Sequence, residues 1–268
     1  MAKFLDDGLV LRRSPFGESS LVVQVLTRRH GRVHFTAKGA YRPNSGYAFV
    51  LDLFHTISLE WSHSTRREMQ YLSRADLAQR RESLCSRPDV YRAALMMLEL
   101  TELAARPGAP DRALFELTEQ GLDELSHLSP STRGADHTLI LFELRFLDHL
   151  GLSPALEQCA ACGEPAPPLS LAPGRGALGA RVGFSAAVGG RLCPRCATDA
   201  RASGKRVGTL PTDVLDTAAS IARGDRDDGN PQLLVRVRDA IERFLNYHLE
   251  TRPRTQRAFL AVPNRNAP

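Results

Sequence analysis

SLVVQVLTRRHGRVHFTAK, residues 20–38, decides how the first third of the chain folds. Ser20–Thr27 is rich in valine, whose branched Cβ packs well on a pleated surface. Arg32–Lys38 alternates: Val33, Phe35 and Ala37 fall on one face, and Arg32, His34, Thr36 and Lys38 on the other. That is the period of a strand with one buried face. Arg28–Gly31 is a link of hairpin length ending on glycine.

Working outward, Asp7–Arg13 reads as a strand before the hairpin. Tyr47–Trp61 reads as a long β-rich stretch whose second half alternates, and Glu68–Ser73 as a fifth strand. Five short antiparallel strands in about 75 residues fit a small barrel such as the OB-fold, although an open sandwich-like sheet gives the same pattern.

Past residue 80 the chain changes character. Pro88–Arg106, Pro110–Leu128 and Arg133–Leu150 are helical by length and period, with Pro88 and Pro110 where helices start and Gly151 where one would be capped. ALMMLEL in the first and TLILFELRFLDHLG in the third are apolar around much of the circumference, as in a buried bundle. Residues 164–191, with six Gly and four Pro, read as a loop or weak hairpin. Pro211–Arg223 and Pro231–Thr251 are two further helices. The expected fold class is multidomain β plus α: an OB-fold barrel over 1–80, then an α-helical domain over 81–268 with an embedded four-cysteine zinc module at about 157–200.

No apolar run reaches the ~18–20 residues of a membrane span, and MAKFLDDGLVLRR does not read as a signal peptide. The expectation is a cytoplasmic protein without a membrane partner. Residues 1–50 hold eight Lys/Arg against three Asp/Glu, residues 51–150 eleven against sixteen, and residues 151–268 sixteen against eleven. Two basic blocks therefore flank an acidic middle, which suggests a polyanion partner at the blocks. Only three basic residues are lysine, a bias read chiefly as the mark of a GC-rich genome.

Cys159-x2-Cys162 and Cys193-x2-Cys196, thirty residues apart, form two spaced pairs. In a cytosolic chain such pairs point to a metal, and four cysteines close a tetrahedral Zn²⁺ site with no position left for water. Such a site is structural, holding a loop too poor in core residues to fold alone. Two redox pairs or free thiols are the other reading. Cys85 has no histidine partner pattern and reads as a buried small residue or an idle thiol.

The nucleic-acid-binding candidates are Arg12, Arg13, Arg28, Arg29, Arg32, His34, Lys38, Tyr41, Arg42, Arg66 and Arg67, with Phe16 and Tyr47 as further rings. A barrel with basic loops and exposed rings suits a single strand: phosphates meet cations and bases stack. Taken singly, each arginine is equally a solvated turn residue. The basic last helix with RPRTQR (252–257) is a further patch whose partner, nucleic acid, acidic lipid or protein, stays open. His248 reads as a core histidine. P-loop, dinucleotide, nucleophile-elbow and H-E-x-x-H patterns are all missing from the sequence. An RNA-binding OB protein, and a zinc nuclease or nucleotidyl transferase, stand as alternatives.

GESSLVVQVLT (17–27), HGR (30–32), TAKGAYRPNS (36–45), LDLFHTISLE (51–60), LFELRFLDHLGLSPALEQCAACG (141–163) and NYHL (246–249) occur in the order found in the RecO family of bacterial recombination mediators, which most of the chain resembles. Two departures stand out. Residues 170–191 are longer and richer in Gly and Ala, and Asp52-Leu53 replaces a usual proline. The resemblance implies an OB-fold followed by a helical domain with a zinc module. It implies binding of single- and double-stranded DNA, annealing of complementary strands, and loading of RecA onto strands coated by single-stranded-DNA-binding protein. RecR is the implied partner, the nucleoid the implied place of work, and no enzyme activity is implied. Some members lack the cysteine pairs, so zinc would be scaffolding.

Overall fold

The hairpin forms as its alternation requires and lies within five strands: β1 (Ala2–Phe16), β2 (Ser20–Thr27), β3 (Gly31–Ala37), β4 (Thr56–His63) and β5 (Met69–Gln79). The computed structural model describes residues 2–129, 134–167, 180–225, 230–251 and 253–255. The sheet closes in the order β1-β2-β3-β5-β4, with β4 back on β1. All pairs are antiparallel except β3 with β5, where His34, Phe35 and Thr36 face Met69, Gln70 and Tyr71. This is an OB-type closed barrel, and it excludes the open sheet. Inward positions of the alternation fill it: Leu21, Val23, Val25 and Phe35 pack with Ile57, Leu59 and Trp61.

The stretch Tyr47–Trp61 is not one strand. Tyr47–Val50 forms a single helical turn, α1, and β4 starts only at Thr56. Between them Leu51 joins the barrel core and Phe54, at φ 72, is buried with its ring 5.5 Å from that of Tyr91, so the apolar residues there do not alternate. β1 and β5 run longer than Asp7–Arg13 and Glu68–Ser73, because residues 2–6 and 74–79 pair with β4 and residues 14–16 with β2.

Two compact units divide the chain, Met1–Ser131 with Pro253–Pro268, and Thr132–Arg252. In the first, a 3₁₀ turn (Glu82–Cys85), α2 (Pro88–Ala104) and α3 (Arg112–Ser126) follow the barrel. α3 starts two residues after Pro110 because Asp111 caps it, accepting from the Leu114 N–H at 2.9 Å. Arg81 is buried and spans barrel and helix: it donates to Phe54 O at 2.8 Å and to Asp123 Oδ1 at 2.5 Å. Gly31, at φ 69, lets β3 start against the 106–109 segment, where Arg32 N–H donates to Arg106 O at 3.1 Å.

The second unit holds α4 (Ala135–His149), β6 (Arg181–Ser185), β7 (Gly190–Leu192), α5 (Pro194–Ala202), β8 (Gly208–Pro211), α6 (Thr212–Arg223) and α7 (Pro231–His248). α4, α6 and α7 pack together, and β7-β6-β8 form a small antiparallel sheet. Gly151, at φ 71, ends α4 as the sequence suggests. The β6–β7 hairpin lies inside the Gly/Pro-rich stretch, where Gly189 and Gly190 supply its turn. No described helix is long and apolar enough to cross a membrane.

Candidate nucleic-acid interface and cysteine cluster

Lys38, leaving β3, sets its ammonium 4.5 Å from the centre of the Tyr71 ring. Arg67, in the β4–β5 turn, sets its guanidinium 4.8 Å from the same ring. The parallel register brings Tyr71 beside Thr36, and its outward position on β5 leaves it 41% exposed. Gly39, at φ 69, turns the chain after Lys38. Arg42 N–H then donates to Gly39 O, and Tyr41 N–H to Ser19 O, each at 3.0 Å, pinning this loop to the β1–β2 turn. Tyr41, Arg42, Arg66 and Arg67 are exposed. Among the described residues, Lys38, Arg42, Arg66 and Arg67 meet no carboxylate. The face of strands two and three, with the β1–β2 and β4–β5 turns, is where OB barrels take oligonucleotides.

The other basic candidates have partners in their own unit. Arg28 pairs with Glu119 at 2.9 Å and Glu116 at 3.2 Å and lies 4.6 Å from the Phe115 ring centre. Arg13 pairs with Asp52 at 2.6 Å. Arg32 donates to Glu102 O at 2.9 Å, and Arg12 reaches the Glu102 carboxylate at 3.9 Å. Arg29 meets buried Asp6 at 3.2 Å, which also holds His30 Nδ1 at 2.8 Å. His34 pairs with Gln24 at 3.0 Å on the outward face.

Of the ring candidates, Phe16 is 55% exposed at the end of β1. Tyr47 is taken up by the fold: its hydroxyl donates to Ser73 O at 2.9 Å and it packs on the barrel core. Sequence reading missed Tyr71. The alternation in Met69-Gln70-Tyr71-Leu72, with Gln70 and Leu72 buried, is the signal that assigns Tyr71 to the outer face.

In the second unit the four cysteines meet. All four Sγ atoms lie within 4.8 Å of one another, with Cys162 and Cys193 at 4.0 Å. A tetrahedral ion with ~2.3 Å bonds to sulfur needs about 3.8 Å between sulfurs, so the set fits one ion. Gly163, at φ 75, closes the first knuckle by donating to Cys159 O at 2.9 Å. Cys193 is the N-cap of α5 and Cys196 stands in its first turn, where Pro194 costs no backbone donor. Sequence reading did not foresee this helix. Buried Arg191 ties the knuckles together, donating to Ala166 O at 2.9 Å and Leu156 O at 3.3 Å. Burial opposes ionisation of Cys159, yet the backbone N–H groups of Cys193, Cys162 and Ala161 hold its thiol down to about 6. Its partner Cys196, hydrogen-bonded to Cys193, partly desolvated and crowded by the other sulfurs, is pushed up to about 12. Four thiolates need a cation to share the site.

Cys85 is exposed rather than buried, at the end of the 3₁₀ turn. Partial burial, then Asp52 and Glu82, push its thiol up, the opposite of an activated nucleophile. His248 packs 4.4 Å from the Phe244 ring. Of RPRTQR, only residues 253–255 are among those described.

The family model described as "Recombination protein O N terminal" matches residues 1–81, and "Recombination protein O C terminal" matches residues 85–258. The chain is similar to the DNA repair protein RecO of Myxococcus xanthus, at 29% identity over 94% of this chain and 95% of that one. It is similar at 29% identity to the DNA repair protein RecO of Desulfatibacillum aliphaticivorans, over 93% of both chains. The namesake of Exiguobacterium sibiricum is 31% identical over 64% of this chain and 67% of its own.

Proposed function

The chain belongs to the recombination protein O family, and on that premise we propose that it is a non-enzymatic, DNA-binding mediator of DNA repair and recombination. It binds single- and double-stranded DNA, anneals complementary strands and, with RecR, assists RecA onto strands coated by single-stranded-DNA-binding protein. It works in the cytoplasm at the nucleoid. Residues 1–80 are the nucleic-acid-binding domain, and residues 81–268 form a helical domain that contains the zinc module. Zn²⁺ held by Cys159, Cys162, Cys193 and Cys196 is structural: it takes all four thiolates and keeps the knuckles against α5.

The observation that supports this reading most is the sorting of charge on the barrel. Among the described residues, Lys38 and Arg67 meet an exposed tyrosine, and they, Arg42 and Arg66 meet no carboxylate, on the face and turns that OB barrels use for oligonucleotides. The same stacking and phosphate contacts would serve an RNA-binding protein, since neither selects the sugar.

Annealing of complementary DNA oligomers precoated with single-stranded-DNA-binding protein tests the reading. The protein should raise the annealing rate at least tenfold over the coated strands alone, and a matched RNA oligomer should compete no better than DNA. Binding without faster annealing, or RNA winning the competition, would set the mediator reading aside.

A further inference from the structure

Phe16 and Tyr71 stand on the outer wall of the barrel on either side of Lys38. Phe16 pairs across β1–β2 with Ser20, and Leu21 pairs across β2–β3 with Ala37, so Phe16, Ser20 and Lys38 fall in one outward row. On the far side of β3, Thr36 pairs with Tyr71, again outward. Adjacent strands are ~4.8 Å apart, so the two rings are separated across the sheet by about 14 Å. Phe16 is 55% exposed and Tyr71 41%, in a protein where most large apolar side chains are buried. The Lys38 ammonium already rests 4.5 Å from the Tyr71 ring centre, with the Arg67 guanidinium 4.8 Å from it.

A cation over an exposed ring gains only about 0.5–1 kcal/mol. Two like charges also repel each other across one ring, with no carboxylate to offset them. A phosphate offers each cation a stronger, charge-assisted partner. When Lys38 swings its flexible stem to a phosphate, ring surface is released to the base attached to that phosphate. Only an unpaired base has a free π-face to lay there, because a duplex keeps its bases stacked inside.

We propose that Phe16 and Tyr71 are the base-stacking residues of this site, flanking the phosphate contact at Lys38, and that they give the barrel its preference for unpaired over paired DNA. The inference rests on the DNA-binding reading above and deepens it.

The test compares Tyr71→Leu and Phe16→Leu with the unaltered protein on three probes of equal length: an oligothymidylate, an abasic oligomer and a duplex. Each Leu variant should bind the oligothymidylate about tenfold more weakly, in line with ~1–3 kcal/mol per stacked base. It should bind the abasic strand and the duplex as before, with an unchanged salt slope. Tyr71→Phe, which keeps the ring, should restore the oligothymidylate affinity. Equal losses on the oligothymidylate and the abasic strand, or no loss on either, would overturn the stacking role while leaving the charge contact standing. If the unaltered protein shows no salt-dependent binding to any of the three, the proposed function fails and the stacking role with it.

Discussion

Glu143 is wholly buried on α4, and neither carboxyl oxygen has a hydrogen-bond partner among the described residues. Burial, then the nearby Glu242, pushes its acid well above the usual carboxylate range, and Arg238 offsets this only in part. The folded chain therefore keeps a proton that the unfolded chain gives up above about 4.5. Stability linked to this group is present below that value and is lost as pH rises through the folded one. Glu143→Gln, neutral at every pH, should flatten the fall in melting temperature as pH rises above about 4.5. A parallel pH profile for variant and parent would refute this.

Glu99 behaves in the opposite sense. Burial opposes its charge, but Thr255 Oγ1 at 2.6 Å, Thr255 N at 2.8 Å and Arg254 N at 2.6 Å all donate to it, and its acid falls below the ordinary value. Its stabilisation is present above about 4.5 and is lost as pH falls through the lower folded value. Glu99→Gln should loosen the 253–255 segment from α2 at neutral pH, seen as faster amide exchange at Arg254 and Thr255. Unchanged exchange there would show that the segment is held by other means.

At the scale of elements, the cysteine module depends on close backbone approach as much as on thiols. A Cβ on Gly190, which sits at φ 144, would lie 2.4 Å from Ala155 O. Gly190→Ala should cost about 2–3 kcal/mol, read as a lower denaturant midpoint. Cys193→Ser removes one of the four sulfurs and leaves the start of α5 with a serine, itself a good N-cap. It should lower the melting temperature by about 5–10 °C, and a strong chelator should do the same to the parent but not to the variant. A chelator without effect on the parent would mean that the four sulfurs hold no metal.

The hairpin 20–38 and the four-cysteine pattern were legible because each is encoded locally, one in a two-residue period and the other in fixed spacings. The parallel pairing of β3 with β5 was not, since it joins residues 35 positions apart with no local mark. Tyr71 was missed for the same reason: its meaning comes from Lys38, which only the register brings beside it and the nearby Arg67. α5 was hidden because CPRCATDARA reads as the tail of a metal motif, and its helical start rests on Pro194 after the Cys193 cap.

For the whole molecule, the sequence shows a basic N-terminal block followed by an acidic middle. Part of that segregation is internal to the first unit, where Arg28 meets Glu116 and Glu119 on α3 and Arg13 meets Asp52. Arg28→Ala should therefore lower stability while leaving the salt dependence of DNA binding nearly intact. The remainder, at Lys38, Arg42, Arg66 and Arg67, is available to an external anion. The slope of log affinity on log salt for a single-stranded oligomer measures how many phosphates a protein neutralises, at about −0.7 per contact. The decisive measurement is that slope for the parent and for a variant with Lys38, Arg42, Arg66 and Arg67 all changed to alanine. A parent slope near −3 that collapses toward zero in the variant, at an unchanged melting temperature, is expected. A variant that keeps the parent's slope would place the DNA elsewhere and contradict the assignment of the barrel face.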